Sequence, residues 1–179
     1  MRVVAGALGG RRLQAPAGTD TRPTSDKVRQ AAFNALESAG LVEDMTFLDL
    51  FAGSGAMGIE ALSRGAASCT FVERDRSALA ALRENIATLG LGERSRVVAG
   101  DALALMTPGA IARADVALID PPYRFDAWDE VLARVPTDFV VAESDRPIPA
   151  PEGWQAERSR RYGRTFITWL VRVASPECR

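Results

Sequence analysis

Four carboxylates stand out because each sits at the end of a short apolar run: Asp49 in LDLF, Glu73 in FVE, Asp101 in AGD and Asp120 in LIDPPY. No imidazole accompanies them. The 179 residues include no histidine, a single lysine (Lys27) and two cysteines, Cys69 and Cys178. This composition excludes Ser-His-Asp and Cys-His nucleophilic pairs and His-containing metal sites. Two thiols supply neither a disulfide framework nor a zinc knuckle, so no metal is expected. Cys69, inside SCTFV, reads as a small buried residue. A Schiff-base mechanism would depend on Lys27 alone, and no GxxxxGK[ST] phosphate loop is present. The chemistry must come from carboxylates, backbone groups, aromatic rings or a borrowed cofactor.

The run Leu48-Asp49-Leu50-Phe51-Ala52-Gly53-Ser54-Gly55-Ala56-Met57-Gly58 fits GxGxxG through Gly53, Gly55 and Gly58. Such glycines allow a tight turn and a ligand's close approach to the backbone, with a helix N-terminus beyond. Glu73 follows Asp49 by 24 positions, where a carboxylate can accept both hydroxyls of a ribose. A nicotinamide dinucleotide would give the same two signals. Asp49 argues against it, because a negative charge directly before the loop repels a pyrophosphate and suits a cationic or zwitterionic ligand. Asp101 could accept a hydrogen bond from an adenine amino group. A ligand with an adenine, a ribose, an ammonium and a sulfonium, and no phosphate, matches this set: S-adenosylmethionine.

These residues need a scaffold. TFLDLF, SCTFVE, SRVVAG, DVALID and DFVVAES read as strands, and MGIEALSRG, SALAALRENIATLG (capped by Ser77), ALALM and FDAWDEVLARV read as the helices between them. Continuous apolar strands alternating with helices predict a parallel sheet covered on both faces, a doubly wound α/β domain. WQAERSRR, a turn at Tyr162-Gly163 and RTFITWLVRV predict an antiparallel hairpin at the end. Before the core, residues 2–14 read as a small hairpin turning at Gly9-Gly10. A helix then opens at Thr24 or Ser25, with Val28, Ala32, Leu36 and Ala39 on one face and Gly40 as its stop. Such sheets bind ligands at the carboxyl ends of their strands, where all four acids fall.

Charge is uneven. Residues 1–30 carry a net +4, residues 154–173 a net +4, and the stretch between them a net −9. Two basic ends on an acidic body suit a polyanion approached by the ends. No apolar run reaches the ~20 residues of a membrane span. The first residues lack the apolar core of a secretory signal, so a cytoplasmic protein is expected.

From LDLFAGSG through VERD and GDA to DPPY, the chain resembles class I S-adenosylmethionine-dependent methyltransferases that modify amino groups. GGRRL, TRPTSDKVRQAAFN and LDLFAGSGAMGIEALSRGA together look like the RsmD family, which methylates the exocyclic N2 of a guanine in bacterial 16S rRNA. The likeness runs from about residue 2 to about residue 173. It implies a Rossmann-like sheet of seven strands with the last antiparallel. Residues 1–40 would form a basic extension of the same unit as the methyltransferase domain at 41–179. It implies further that Asp49, Phe51, Ala52, Gly53, Ser54 and Gly55 line the methionine side of the cofactor. Glu73 would hold the ribose, Arg74 border the adenine, and Asp101 and Ala102 reach it. Asp120, Pro121, Pro122 and Tyr123 would hold the target base.

An exocyclic amino nitrogen is a poor nucleophile because its lone pair is delocalised into the ring. Two acceptors aimed at its N–H groups, the Asp120 carboxylate and the Pro121 carbonyl, would draw it towards tetrahedral geometry. Pro122 brings no competing donor, and Tyr123 offers a stacking face. Such a base must be unpaired or flipped, and the RNA held through its phosphates. Arg11, Arg12, Arg22, Lys27 and Arg29 are the candidate contacts, with Arg124 and Arg164 beyond them. The expected partner is 16S rRNA or an assembling small ribosomal subunit, and the expected state is a monomer. Alternatives are a DNA adenine-N6 or cytosine-N4 methyltransferase, for which the chain has little room for a target-recognition region, and a non-catalytic nucleic-acid-binding protein.

Overall fold

The computed structural model describes residues 1–16, 25–122 and 124–173. The core elements are β1 (Thr46–Leu50), α2 (Ala56–Ser63), β2 (Ser68–Glu73), α3 (Arg76–Thr88), β3 (Ser95–Ala99), α4 (Ala102–Leu105), β4 (Val116–Ile119), α5 (Trp128–Arg134), β5 (Phe139–Ser144), β6 (Trp154–Tyr162) and β7 (Thr165–Arg172), preceded by α1 (Asp26–Ser38). The strands form one seven-stranded sheet in the order β3-β2-β1-β4-β5-β7-β6. β1 to β5 run parallel, and β7 is antiparallel to both β5 and β6. This is the doubly wound α/β architecture expected from the alternating runs, with the seven strands and the antiparallel last strand that the resemblance implied.

The period-2 alternation of the strands divides the core. Phe47, Phe71, Leu118, Val141 and Ile167 face one side, where α1, α2 and α3 supply Phe33, Leu36, Ile59, Leu62 and Leu82. Leu48, Leu50, Ala117, Ile119 and Val140 face the other, against Met106, Trp128, Val131 and Leu132. Trp154 Nε1 donates to the Leu132 carbonyl at 3.0 Å and pins the start of β6 to α5.

α1 is capped by Ser25, whose side chain accepts from the Val28 amide, and its chain reverses at Ala39 and Gly40. Thr24 lies outside the described residues. Val28, Ala32 and Leu36 are buried as expected, whereas Ala39 is exposed past the last turn. α3 is capped by Asp75 and not by Ser77: the Asp75 side chain accepts from the Ala78 amide. Its carboxylate occupies the extended residue just before the helix, which an N-cap requires.

The N-terminal segment forms the expected hairpin, with a wider turn. A single bridge joins Arg2 to Arg12, and the turn spans residues 5–10 instead of Gly9-Gly10 alone. The reason is where its backbone donors go. The Val4 and Ala5 amides donate to the two oxygens of Glu60 at 2.7 and 3.0 Å, and the Leu8 amide donates to Ser63 Oγ at 3.0 Å. Gly6 lies so close to the Ser63 carbonyl that a Cβ would stand 2.0 Å from its oxygen. The arm is therefore fastened to the end of α2 as well as to itself, where the Val3 amide donates to the Arg11 carbonyl, the Gly10 amide to the Val3 carbonyl and the Leu13 amide to the Met1 carbonyl.

That attachment corrects one RNA-contact expectation. Arg29 is fully buried, donates to the Arg2 carbonyl at 2.6 Å and to Asp26 at 2.9 Å, and lies 3.5 Å from the buried Glu60. Glu60 also receives Arg64 Nε at 2.7 Å. A buried carboxylate needs such compensation, and Arg29 is part of it. Its position in sequence, next to exposed Lys27, concealed that it faces inward.

Candidate functional site

The sheet order reverses between β1 and β4, so the loops after these two neighbouring strands open a crevice at their carboxyl ends. Leu50 and Ile119 are register partners, and therefore the glycine turn and Asp120-Pro121 leave the sheet side by side.

Asp49 points under the turn. It is 2% exposed and accepts the Gly58 amide at 2.9 Å. Burial pushes its carboxyl up to about 8, against the Gly58 hydrogen bond, and the nearby Asp120 and Glu73 charges push the same way. The sequence suggested a standing negative charge here. Burial instead keeps the group largely protonated at neutral pH.

Gly58 serves this packing: a Cβ there would come within 2.3 Å of the Phe71 ring and 2.6 Å of Cys69 Sγ. Cys69 is itself buried, and desolvation pushes its thiol well above the ordinary range, which makes it inert. Gly53 differs: it holds φ +56° and a Cβ would meet open space. The turn thus leaves room for a ligand at Gly53 and none at Gly58. Phe51 also adopts a left-handed φ of +62°, costly for a bulky residue. Its ring meets Phe125 edge-on at 5.2 Å, and Phe125 meets Trp128 at 5.2 Å, a stack linking the glycine turn to the loop after β4.

Glu73 is held by three backbone amides. Gly53 donates to one oxygen at 2.7 Å, and Arg74 and Asp75 donate to the other at 2.8 Å each. Across the gap, Asp101 caps α4 by accepting from the Leu103 and Ala104 amides, and its second oxygen receives Arg74 Nη1 at 2.8 Å. Ala102 opens α4 with its side chain in the core, so only its backbone could face a ligand.

Pro121 is buried and Pro122 exposed, and the Pro122 carbonyl accepts the Phe125 amide at 2.8 Å. Pro121, Pro122, Phe125, Trp128, Glu143, Ser144 and Asp145 line a shallow pocket at the ends of β4 and β5. Tyr123 and Arg22 lie outside the described residues. Arg11, Arg12 and Lys27 are exposed. Among the described residues no group of acidic, histidine or cysteine side chains is arranged to hold a metal, and no helix is long and apolar enough to cross a membrane.

Two residues at or beside the site were not singled out from the sequence. Glu143 is buried at the end of β5 and lines the pocket. Asn85 on α3 accepts the Gln14 amide at 2.7 Å and donates to the Gln14 and Ser54 carbonyls at 3.0 Å each. It joins the end of the N-terminal arm to the glycine turn. The available signal was a polar residue within the apolar stripe Leu82, Asn85, Ile86.

Sheet order, glycine turn and strand-end acids define a class I methyltransferase. A solved structure from Escherichia coli, "Putative methyltransferase yhhF", superposes with a TM-score of 0.84 at 33% identity, covering 98% of this chain and 99% of that one. In sequence, "Ribosomal RNA small subunit methyltransferase D" of Escherichia coli (strain K12) is 34% identical over 187 residues, 99% of this chain and 92% of that protein. "Putative rRNA methyltransferase YlbH" of Bacillus subtilis is 39% identical over 161 residues, 85% of this chain and 86% of its own length. The family model "Conserved hypothetical protein 95" matches residues 1–171. The chain belongs to that family, the RsmD-type methyltransferases.

Proposed function

We propose that this methyltransferase transfers a methyl group from S-adenosylmethionine to the exocyclic N2 of a guanine in small-subunit (16S) rRNA. The observation that carries the reading is the Leu50–Ile119 register, which sets the amine-binding candidate Asp120 beside the glycine turn. The printed functions of the Escherichia coli and Bacillus subtilis relatives support rRNA as the substrate class.

The residues present fit the cofactor. Open space at Gly53 admits a ligand against the backbone, and the three amides on Glu73 fix a carboxylate for a ribose diol. Buried Asp49 would hold the cationic amino-acid end, losing its proton to solvent as the ammonium arrives. Asp101 and Arg74 would border the adenine. When bound, S-adenosylmethionine supplies an electrophilic methyl on a sulfonium.

The protein's own part is orientation. Asp120 accepts one N–H of the exocyclic amine and the Pro121 carbonyl accepts the other, which turns the nitrogen lone pair out of conjugation. The Pro122 carbonyl already accepts the Phe125 amide, which rigidifies the loop that presents them. Tyr123 would stack on the base, and Arg11, Arg12 and Lys27 would hold phosphates. Rate then comes mainly from positioning.

The test is to map modified nucleotides in 16S rRNA from cells with and without the gene, and to add purified protein with labelled cofactor to the unmodified particle. One guanine losing its N2-methyl in the deletion and regaining it in vitro is the expected result. Label entering DNA in place of rRNA would select the adenine-N6 or cytosine-N4 alternative.

A further inference from the structure

The site just described leaves one strongly charged surface unused. β6 is the outermost strand, and residues 155–161 are exposed without interruption. Along this edge Arg158 and Arg160 share the face of Trp169 and Ile167, Arg161 shares the other face with Phe166, and Arg164 sits in the turn, against the single acid Glu157. None of these four arginines enters an ion pair among the described residues.

Register places this surface. Arg161 pairs with Phe166, which pairs with Ser144, and Arg160 pairs with Ile167, which pairs with Glu143. The tip of the β6–β7 hairpin therefore lies at the same edge of the sheet as the pocket after β4 and β5. At ~4.8 Å between strands, Arg161 is roughly 15 Å from the β4 row that ends in Asp120. The N-terminal arm is fastened to α2, which packs on β1 and β2. In the lateral order of the sheet, the pocket after β4 and β5 lies between the strands under α2 and the β6–β7 hairpin.

Two of these arginines are also held against rings. The Arg158 guanidinium stands 5.3 Å over Trp169 and that of Arg161 5.7 Å over Phe166. Arg161 Nε also donates to the Gly163 carbonyl at 2.8 Å, which holds that guanidinium in place and leaves its terminal N–H groups for a phosphate. A guanidinium stacked on a ring loses less freedom on binding. A second copy of the chain would bring like charges together, and arginines on an edge strand oppose strand pairing. A polyanion is the complementary occupant.

We propose that the β6–β7 hairpin is a second RNA-docking surface, holding the sugar–phosphate backbone that flanks the target base on the side away from the N-terminal arm. This rests on the rRNA reading above. The probes are the 16S rRNA transcript and the small-subunit particle, bound to the full chain and to the variants R160E/R161E/R164E and R160Q/R161Q/R164Q. Charge reversal should weaken RNA binding at least tenfold and raise KM accordingly. Because each phosphate contact contributes about 0.7–0.9 to the slope of log K against log salt, loss of three should flatten it by about 2–3. The Gln variant should show the same flattening with a smaller loss of affinity, and S-adenosylmethionine affinity should hold as evidence of an intact fold. Unchanged RNA affinity and slope in both variants would overturn the proposal alone. So would variants that differ from the parent only in self-association. Failure of the parent to bind or methylate rRNA would remove the functional reading as well.

Discussion

The two halves of the crevice are built differently. On the β1–β3 side, the acids are held mainly by backbone amides: Asp49 by Gly58, Glu73 by three amides, Asp101 by two amides and by Arg74. On the β4–β5 side, the loop after Ile119 offers a proline pair, aromatic rings and a shallow opening. A small, invariant ligand can be met by a preformed backbone cage. A nucleobase that must enter from a folded RNA needs an accessible lip with few, well-aimed acceptors. The lesson is that binding and chemistry should be separable by mutation.

The sharpest way to break that contrast is at Asp120. Asp120→Ala removes the carboxylate acceptor on the lip and keeps the hydrogen bonds of the cage, while losing a charge that helps raise the Asp49 carboxyl. Transfer to rRNA should fall ~10²–10⁴-fold, the range for one positioned acid or base, while calorimetric affinity for S-adenosylmethionine changes less than about twofold. Retained turnover would show that the two halves do not divide the work this way.

The converse change lies inside the cage. Asp49→Asn keeps an oxygen for the Gly58 amide but cannot acquire charge. Losing one charge-assisted contact of ~1.5–3 kcal/mol should weaken cofactor binding ~10–100-fold. The parent's carboxyl sits at about 8 in the fold and at 3.8 when free, so between those values the folded state holds a proton that the unfolded chain has already released. Stability of the ligand-free parent should therefore fall as pH rises from about 4 to about 8 and level off above. The Asn variant lacks this contribution, and denaturation at pH 5 and pH 9 should show it gaining on the parent at the higher pH. Near pH 7, cofactor binding by the parent should release a proton, read by calorimetry in buffers of different ionisation enthalpy. Identical pH slopes for the two proteins would refute the buried-acid account.

These contrasts also show what the sequence could carry. Strand and helix order was legible because continuous apolar runs and glycine stops depend on local pattern, and the Asp-Leu-Phe-Ala-Gly-Ser-Gly turn announces itself by residue type. The direction in which a charged side chain points depends on tertiary partners. Arg29 and Lys27 are two residues apart, yet one neutralises buried Glu60 and the other faces solvent. The helix cap at Asp75 was hidden for the same reason, since Ser77 is an equally good capping residue by type. Asn85 and Glu60 escaped notice because their partners, Gln14 with Ser54 and Val4 with Ala5, lie far away in sequence.

Asn85 tests whether the cage and the arm are mechanically joined. Asn85→Leu fills the same space and strands the Gln14 and Ser54 backbone groups, each ~1–3 kcal/mol when buried without a partner. The midpoint of thermal unfolding should drop by several degrees. Both cofactor and RNA affinity should fall, by up to about tenfold each, because one side chain holds the turn and the arm. A loss confined to the cofactor would separate the two.

The smallest effect is expected at the rim of the cage. Arg74 and Asp101 are both substantially exposed, with side chains 70% and 40% accessible, so their ion pair contributes little to folding. Arg74→Ala should leave the unfolding midpoint within about a degree. Its interest lies in the second Asp101 oxygen, which Arg74 occupies at 2.8 Å and an adenine amino group would need. If the ligand must displace the guanidinium, the Ala variant should bind S-adenosylmethionine slightly more tightly, and the gain should shrink at high salt, where the pair is already screened. If the guanidinium instead stacks over the adenine, the same variant should bind ~2–5-fold more weakly at every salt concentration. The salt dependence of one substitution thus decides whether this arginine competes with the ligand or covers it.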